Sequence, residues 1–252
     1  MEPNIVTASS VLGAVIGAAS TQLFLLVKED LAYRRRQVRA INGALAASAA
    51  VCDSVLQLKV QHLNKIQSFI SRENEKLDEL LERSEINGDV DQIHIELEYI
   101  NLPRISPPIE ELSAILHKDL DASGSMLLYF YAIVRAFKVL EATLENYNNL
   151  IDGWISNQSN DHEDSAYRFL GRHLQSGYTD TRHVDFVQQM EIAVISCAAY
   201  SYLLVEELSQ KGNRLKNSFF FRKPKINSLD FAVYRRSGDF PEEEYISNLR
   251  QH

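Results

Sequence analysis

Between Ile5 and Val27 the chain reads IVTASSVLGAVIGAASTQLFLLV, twenty-three residues without a charge or a proline. At ~1.5 Å per residue a helix of this length reaches about 34 Å, enough to cross a hydrocarbon core of about 30 Å. The rest of the chain is ordinary: 45% of all residues are hydrophobic and 24% charged. The membrane signal is therefore local, and a mean hydropathy of −0.20 excludes a polytopic transporter. A cleaved leader would carry a basic segment before a shorter apolar core, whereas only Glu2 precedes this one. Positive charge follows the run, in Lys28, Arg34, Arg35, Arg36 and Arg39. By the positive-inside rule, residues 1–4 are expected outside, 5–27 in the cell membrane as a single span, and the remainder in the cytoplasm. The competing reading is a buried helix of a soluble protein.

The run is uneven around its circumference. At ~100° per residue, Ser9, Ser10, Gly13, Ala14, Gly17, Ser20 and Thr21 fall on one arc, and Leu12, Val15, Ile16, Leu23 and Leu26 on the other. Gly13 to Gly17 is a GxxxG, extended at the same spacing by Ser9 and Thr21. Small residues let helix backbones approach closely in lipid, so this arc is the expected homo-oligomerisation face. The hydroxyls of Ser10 and Thr21 suit either a helix contact or a narrow wet pore.

Beyond the span the fold is expected to be all-α. No proline occurs between Pro3 and Pro103, and apolar residues from Val38 through Leu45, Cys52, Val55, Leu63 and Ile70 to Leu81 recur mostly every three or four positions. This predicts a long juxtamembrane helix over 28–88 that continues the span, with a bend at Asn42-Gly43 and a solvated end at the charged run from Arg72. A cytoplasmic helical bundle is expected over 89–210. Within it, 92–100 alternates as a strand or short helix would, and Pro107-Pro108 opens a helix to Asp119. A long helix follows over 126–155. A short helix over 164–175 is expected to close at Gly177, and a last one, capped by Thr179–Thr181, to run to Gln210 with Gly212 as its stop. Residues 211–252 read as an irregular or β-containing tail. Cys52 and Cys197 sit in apolar helical contexts without a CxxC partner, which predicts buried, reduced thiols.

Two segments could carry chemistry. Arg168-Phe-Leu-Gly-Arg-His173 is similar to the Rx4–6H motif of HEPN-type helical ribonucleases, in which a paired Arg and His on a helix are implied to cleave RNA at a dimer interface. Phe169 stands where that family usually has a polar residue, and the competing reading is a surface Arg and His on a short helix. The second segment, KGNRLKNSFFFRKPK, has six basic residues and no acids. Lys211, Arg214, Lys216, Arg222, Lys223 and Lys225, with Phe220, suit a nucleotide or RNA phosphate with stacked bases, an anionic membrane surface, or a linker whose phenylalanines plug the bundle. No metal or cofactor motif is present: there is no HExxH, GxGxxG, Walker loop or GxSxG. The net charge of −8 argues against a non-specific nucleic-acid coat.

The leading expectation is a non-enzymatic, homo-oligomeric membrane effector that senses a nucleotide, RNA or protein ligand and forms or gates a pore. One anchor ahead of a helical domain resembles the organisation of bacterial membrane-disrupting effectors of antiviral defence, an analogy of architecture alone. The alternatives are a membrane-tethered HEPN-like ribonuclease and a membrane scaffold that recruits a soluble partner.

Overall fold

In the computed structural model, residues 4–87, 97–156, 162–173, 177, 179–220 and 222–250 are described; for 4–14, 84–87 and 162–164 the backbone alone is described. The described residues form an all-α bundle. The first helix, α1, runs unbroken over Asn4–Leu58. A π-helical turn at Lys59–Leu63 leads into α2, Asn64–Asn87. After Ile109–Ala114 (α3) a second π-helical turn covers Ile115–Asp119. The longer α4 occupies Gly124–Ser156, α5 His162–Leu170 and α6 Arg182–Asn217. Two short helices, α7 (Ala232–Ser237) and α8 (Glu243–Leu249), end the described chain.

Helix α6 is the centre of the bundle and packs along both α4 and α1. Its small residues Ala193, Ala198 and Ala199 are buried, so neighbouring backbones come close on two sides. Facing it, α4 buries Phe130, Ile133, Leu140, Leu144, Tyr147 and Ile151, and α1 buries Ile41, Leu45, Val51, Cys52, Val55 and Leu56. These positions recur at helical spacing, as expected for a core-facing stripe. Emptying one of them costs about 2–5 kcal/mol. The same hydrophobic cluster takes in Leu63 and Leu77 near and on α2, Phe169 on α5, and Phe240 and Ile246 of the tail.

Several expectations need correction. The helix starting at residue 162 closes at Gly171, not at Gly177. Gly171 has φ +70°, and the N–H of Arg172 returns to the carbonyl of Tyr167 at 2.8 Å, a helix-ending geometry. Gly212 does not stop α6, which continues to Asn217. It is buried because a Cβ there would meet Ile41 and Ile226, so the glycine permits a close crossing. The helix assignment of α1 continues without a break through Asn42-Gly43. The charged run from Arg72 is not wholly solvated either: Glu73 is fully buried and paired with Arg72 at 3.0 Å and Lys76 at 2.8 Å. Burial raises the pKa of Glu73, but the hydrogen bonds and charges of Lys76 and Arg72 outweigh it and hold the carboxyl below its ordinary value.

No strand forms among the described residues; the tail, expected to be irregular or β-containing, is without regular structure over 222–231 and then makes two short helices. Asp230 accepts the N–H of Ala232 at 2.8 Å at the start of α7, and Gly238, at φ +78°, ends it. Of the stretch 92–100, only 97–100 is described, as a segment without regular structure. The end of the juxtamembrane helix expected at residue 88 lies outside the described residues, as do 157–161 between α4 and α5.

Candidate functional site

Among the described residues, two helical stretches are long and apolar enough to cross a membrane by length and composition: Val15–Arg83, which takes in most of α1, and α6. Their surroundings differ. In α6 most apolar residues are core: Val194, Cys197, Ala198 and Leu204 are fully buried, and Ile192 is the large exposed exception at 65% among its described residues. In α1, every described residue from Val15 to Ala32 is exposed. Leu23, Phe24 and Leu26 each present about two thirds of their surface (66%, 67% and 64%), with no bundle element over them. The same helix then enters the bundle at Gln37 and Val38, the first buried positions.

Where α1 meets the bundle, the basic-aromatic tail lies beside it. The Arg34 guanidinium donates to the carbonyl of Ser218 at 3.1 Å and also pairs with Asp30 at 2.7 Å. The side chain of Asn42 donates to the carbonyl of Lys225 at 3.0 Å. Lys211 donates through Nζ to the carbonyl of Asp121. Residues 218–220 and 222–227 therefore run next to the stretch of α1 that carries Arg34, Arg35, Arg36 and Arg39. The phenylalanines divide: Phe219 is buried, whereas Phe220 is 97% exposed; Phe221 lies outside the described residues. Arg222, Lys223 and Lys225 are exposed, as is Arg214, and Lys216 is half-buried. Arg222 holds φ +47°, a left-handed conformation unfavourable for a non-glycine residue.

A cleft of about 480 Å³ opens at the same level between α1 and the π-helical turn. Tyr33, Arg36, Arg39 and Gly43 line it from α1, and Lys118 and Asp119 from the turn. Gln37 holds the two walls together. It is 8% exposed, donates through Nε2 to the carbonyl of Asp119 at 3.0 Å, and accepts the N–H of Asp121 at 3.2 Å. Sequence reasoning missed this cleft because Tyr33 and Lys118 are far apart along the chain and nothing local pairs them.

Of the expected oligomerisation face, Gly17 and Thr21 are exposed, and a Cβ at Gly17 would meet nothing within 4 Å. The Thr21 hydroxyl donates to the Gly17 carbonyl one turn back at 2.8 Å. The side chains of Ser9, Ser10, Gly13 and Ala14 lie outside the described residues.

Arg168 and His173 do not share a helix. Arg168 is in the last turn of α5, and His173 follows Gly171 on an isolated antiparallel bridge to Thr179. Both are exposed; the His173 ring pairs through Nδ1 with the Thr179 hydroxyl, and the charge of Arg168 helps to lower the pKa of Asp180. No group of three or more His, Cys, Asp or Glu among the described residues is arranged to hold a metal ion.

A second titratable group unused by sequence reasoning is His183, fully buried in α6. Its Nδ1–H donates to the carbonyl of Phe169 at 2.9 Å, which leaves Nε2 buried without a hydrogen-bond partner among the described residues. The Phe169 ring lies 4.1 Å away, with Tyr147 and Trp154 at 5.5 and 5.7 Å. Burial depresses the His183 pKa to about 4, against a smaller opposing effect of the Phe169 carbonyl. The imidazole is thus neutral and structural. Compared with known proteins, the chain matches no family model, no curated protein and no solved structure.

Proposed function

We propose that this chain is a non-enzymatic, single-pass membrane effector: α1 anchors it through residues 5–27, copies associate through the spans, and the cytoplasmic bundle sets the state of that assembly. One observation carries the reading. The apolar surface of α1 from Val15 to Val27 is uncovered, on a helix that continues unbroken into the core. Apolar area left in water forgoes about 25 cal/mol per Å², so a surface this long calls for lipid or another copy to cover it. Arg34 is seven residues past Val27, ~10 Å along the helix axis, near the outer edge of a headgroup layer. The docked tail, with Phe220 projecting and Arg222 and Lys223 beside it, is at the same level. That position favours the anionic membrane surface over the other ligands considered for the segment.

The anchor is tested by alkaline carbonate extraction of membranes expressing the full chain. Retention in the pellet, together with protease access to residues 28–252 from the cytoplasmic side only, is the expected result. Release into the supernatant would sink the reading. The effector role is tested by reconstitution in liposomes. Dye release or ion conductance should appear in the assembled protein and fall in Gly17→Leu, whose bundle keeps its Tm. Tight vesicles under all conditions in which the protein is oligomeric would exclude a pore.

A further inference from the structure

We infer that the cleft between α1 and the Ile115–Asp119 turn is a binding site for the headgroup of an anionic glycerophospholipid. The inference rests on the membrane anchoring proposed above and names a ligand for the surface at its base.

The site is built. Gln37, almost fully buried, spends both ends of its amide on the backbone of the turn, so the position of Lys118 relative to α1 is fixed. Gly43 closes the far end, because a Cβ there would meet Ile115 Cδ1 at 3.2 Å; the missing side chain lets the turn approach. Arg36, Arg39 and Lys118 are exposed around the opening and have no ion pair among the described residues. Their neighbours Arg34 and Lys211 are already engaged, by Asp30 and Ser218 and by the Asp121 carbonyl. Against these three cations the cleft presents one carboxylate, Asp119, which leaves it net positive.

Charge, size and position select the ligand. A phosphodiester accepts hydrogen bonds from guanidinium groups in a fork geometry and from an ammonium as a point charge. A volume of about 480 Å³ admits a glycerophosphate headgroup. Tyr33, 48% exposed, stands on the anchor side of the cleft, six residues past Val27. Tyrosine favours such an interfacial level, with its ring toward acyl chains and its hydroxyl toward water. A soluble anion would gain the same charge contacts but nothing from the apolar helix that leads away from the opening.

The test is native mass spectrometry of the full chain in detergent, after addition of phosphatidylglycerol or phosphatidylcholine. One phosphatidylglycerol per chain should stay bound, and phosphatidylcholine should not. The triple variant Arg36→Gln/Arg39→Gln/Lys118→Gln should lose that lipid, and a single neutralisation should weaken it about fivefold. Arg83→Gln, a charge removed from the distant end of α2, should retain it. Equal retention of both lipids, or unchanged phosphatidylglycerol binding in the triple variant, would overturn the assignment. A rise in Tm with inorganic phosphate as large as that with phosphatidylglycerol would overturn it in favour of a soluble anion. All variants change exposed side chains, and an unshifted lipid-free Tm verifies folding. Because binding is read in detergent, failed carbonate extraction would remove the anchor without deciding the site.

Discussion

The backbone N–H of Asn227 donates to the side-chain oxygen of Asn42 at 3.0 Å, while the same side chain donates to the Lys225 carbonyl. A single residue of α1 thereby mimics a strand partner for the tail. Asn42→Ala removes both bonds and leaves two backbone groups to water, a loss of about 1–3 kcal/mol. Amide hydrogen exchange should accelerate over 225–229, with α4 and α6 unchanged. Equal protection in the variant would mean that Ile226 against Gly212 is enough to hold the tail.

The crossing at Gly212 gives a second expectation. A Cβ at that position meets Ile226 at 3.1 Å and Ile41 at 3.2 Å, from two different elements. Gly212→Val should cost about 1–3 kcal/mol as overpacking. Gly153 of α4 offers the contrast, since a Cβ there meets nothing within 4 Å. Gly153→Ala should stabilise by up to about 1 kcal/mol through helix propensity. Denaturant midpoints in a common detergent give both values.

His183 predicts a pH dependence. Its folded pKa, about 4, lies below the ordinary value of 6.5, so between the two the unfolded chain binds the proton and the folded one does not. The stability it contributes is complete above pH 6.5 and falls as pH drops toward 4, by about 3 kcal/mol. Asn at 183 keeps a donor for the Phe169 carbonyl but cannot titrate. The His183→Asn profile should therefore be flatter across that window. Glu73 and Asp180 also destabilise on acidification, but their carboxyl pKa values are lowered, so their contribution is lost below the ordinary carboxylate range.

The two thiols are buried against each other's helices. Cys52 Sγ is 3.8 Å from the Ala198 carbonyl, and burial pushes the Cys197 thiol up to about 12 and that of Cys52 upward as well. Since the thiolate is the nucleophile, neither should react with a maleimide at neutral pH until the bundle unfolds. Labelling of the native protein at the rate of a free thiol would show that α1 and α6 separate transiently.

The long helices were legible because their apolar residues keep one period over many turns: α4 lies within two residues of its expected ends. Glycine was the weakest punctuation. Gly171, Gly177 and Gly212 look alike in sequence, yet only the first ends a helix; the last answers a contact with Ile41, 171 positions away. The segment around Phe231 reads as β by composition, although Asp230 and Gly238 carry the cap signals of a short helix. Docking decides it, with the Tyr234 hydroxyl bonded to Asp53 of α1. Burial of Glu73 and the cleft beside Tyr33 depend on which elements meet, and no local pattern encodes that.

The unbroken course of α1 also fixes a rotational phase. At ~100° per residue, positions eighteen or thirty-six apart share an azimuth. Gly17 then aligns with Arg35 and Asp53, and Thr21 with Arg39 and Gln57; none of these four partners is buried. Leu23 and Leu26 align with Ile41 and Ala44, and Val15 and Ile16 with Val51 and Cys52, all fully buried. Gly17 and Thr21 thus point away from the bundle, whereas Ser20, at the edge of the same arc, aligns with the buried Val38 and Leu56. Under the proposed association, copies that pack through Gly17 and Thr21 carry their bundles on the outside of the assembly axis, and one residue inserted between Lys28 and Arg34 would turn that face by about 100° relative to the bundle.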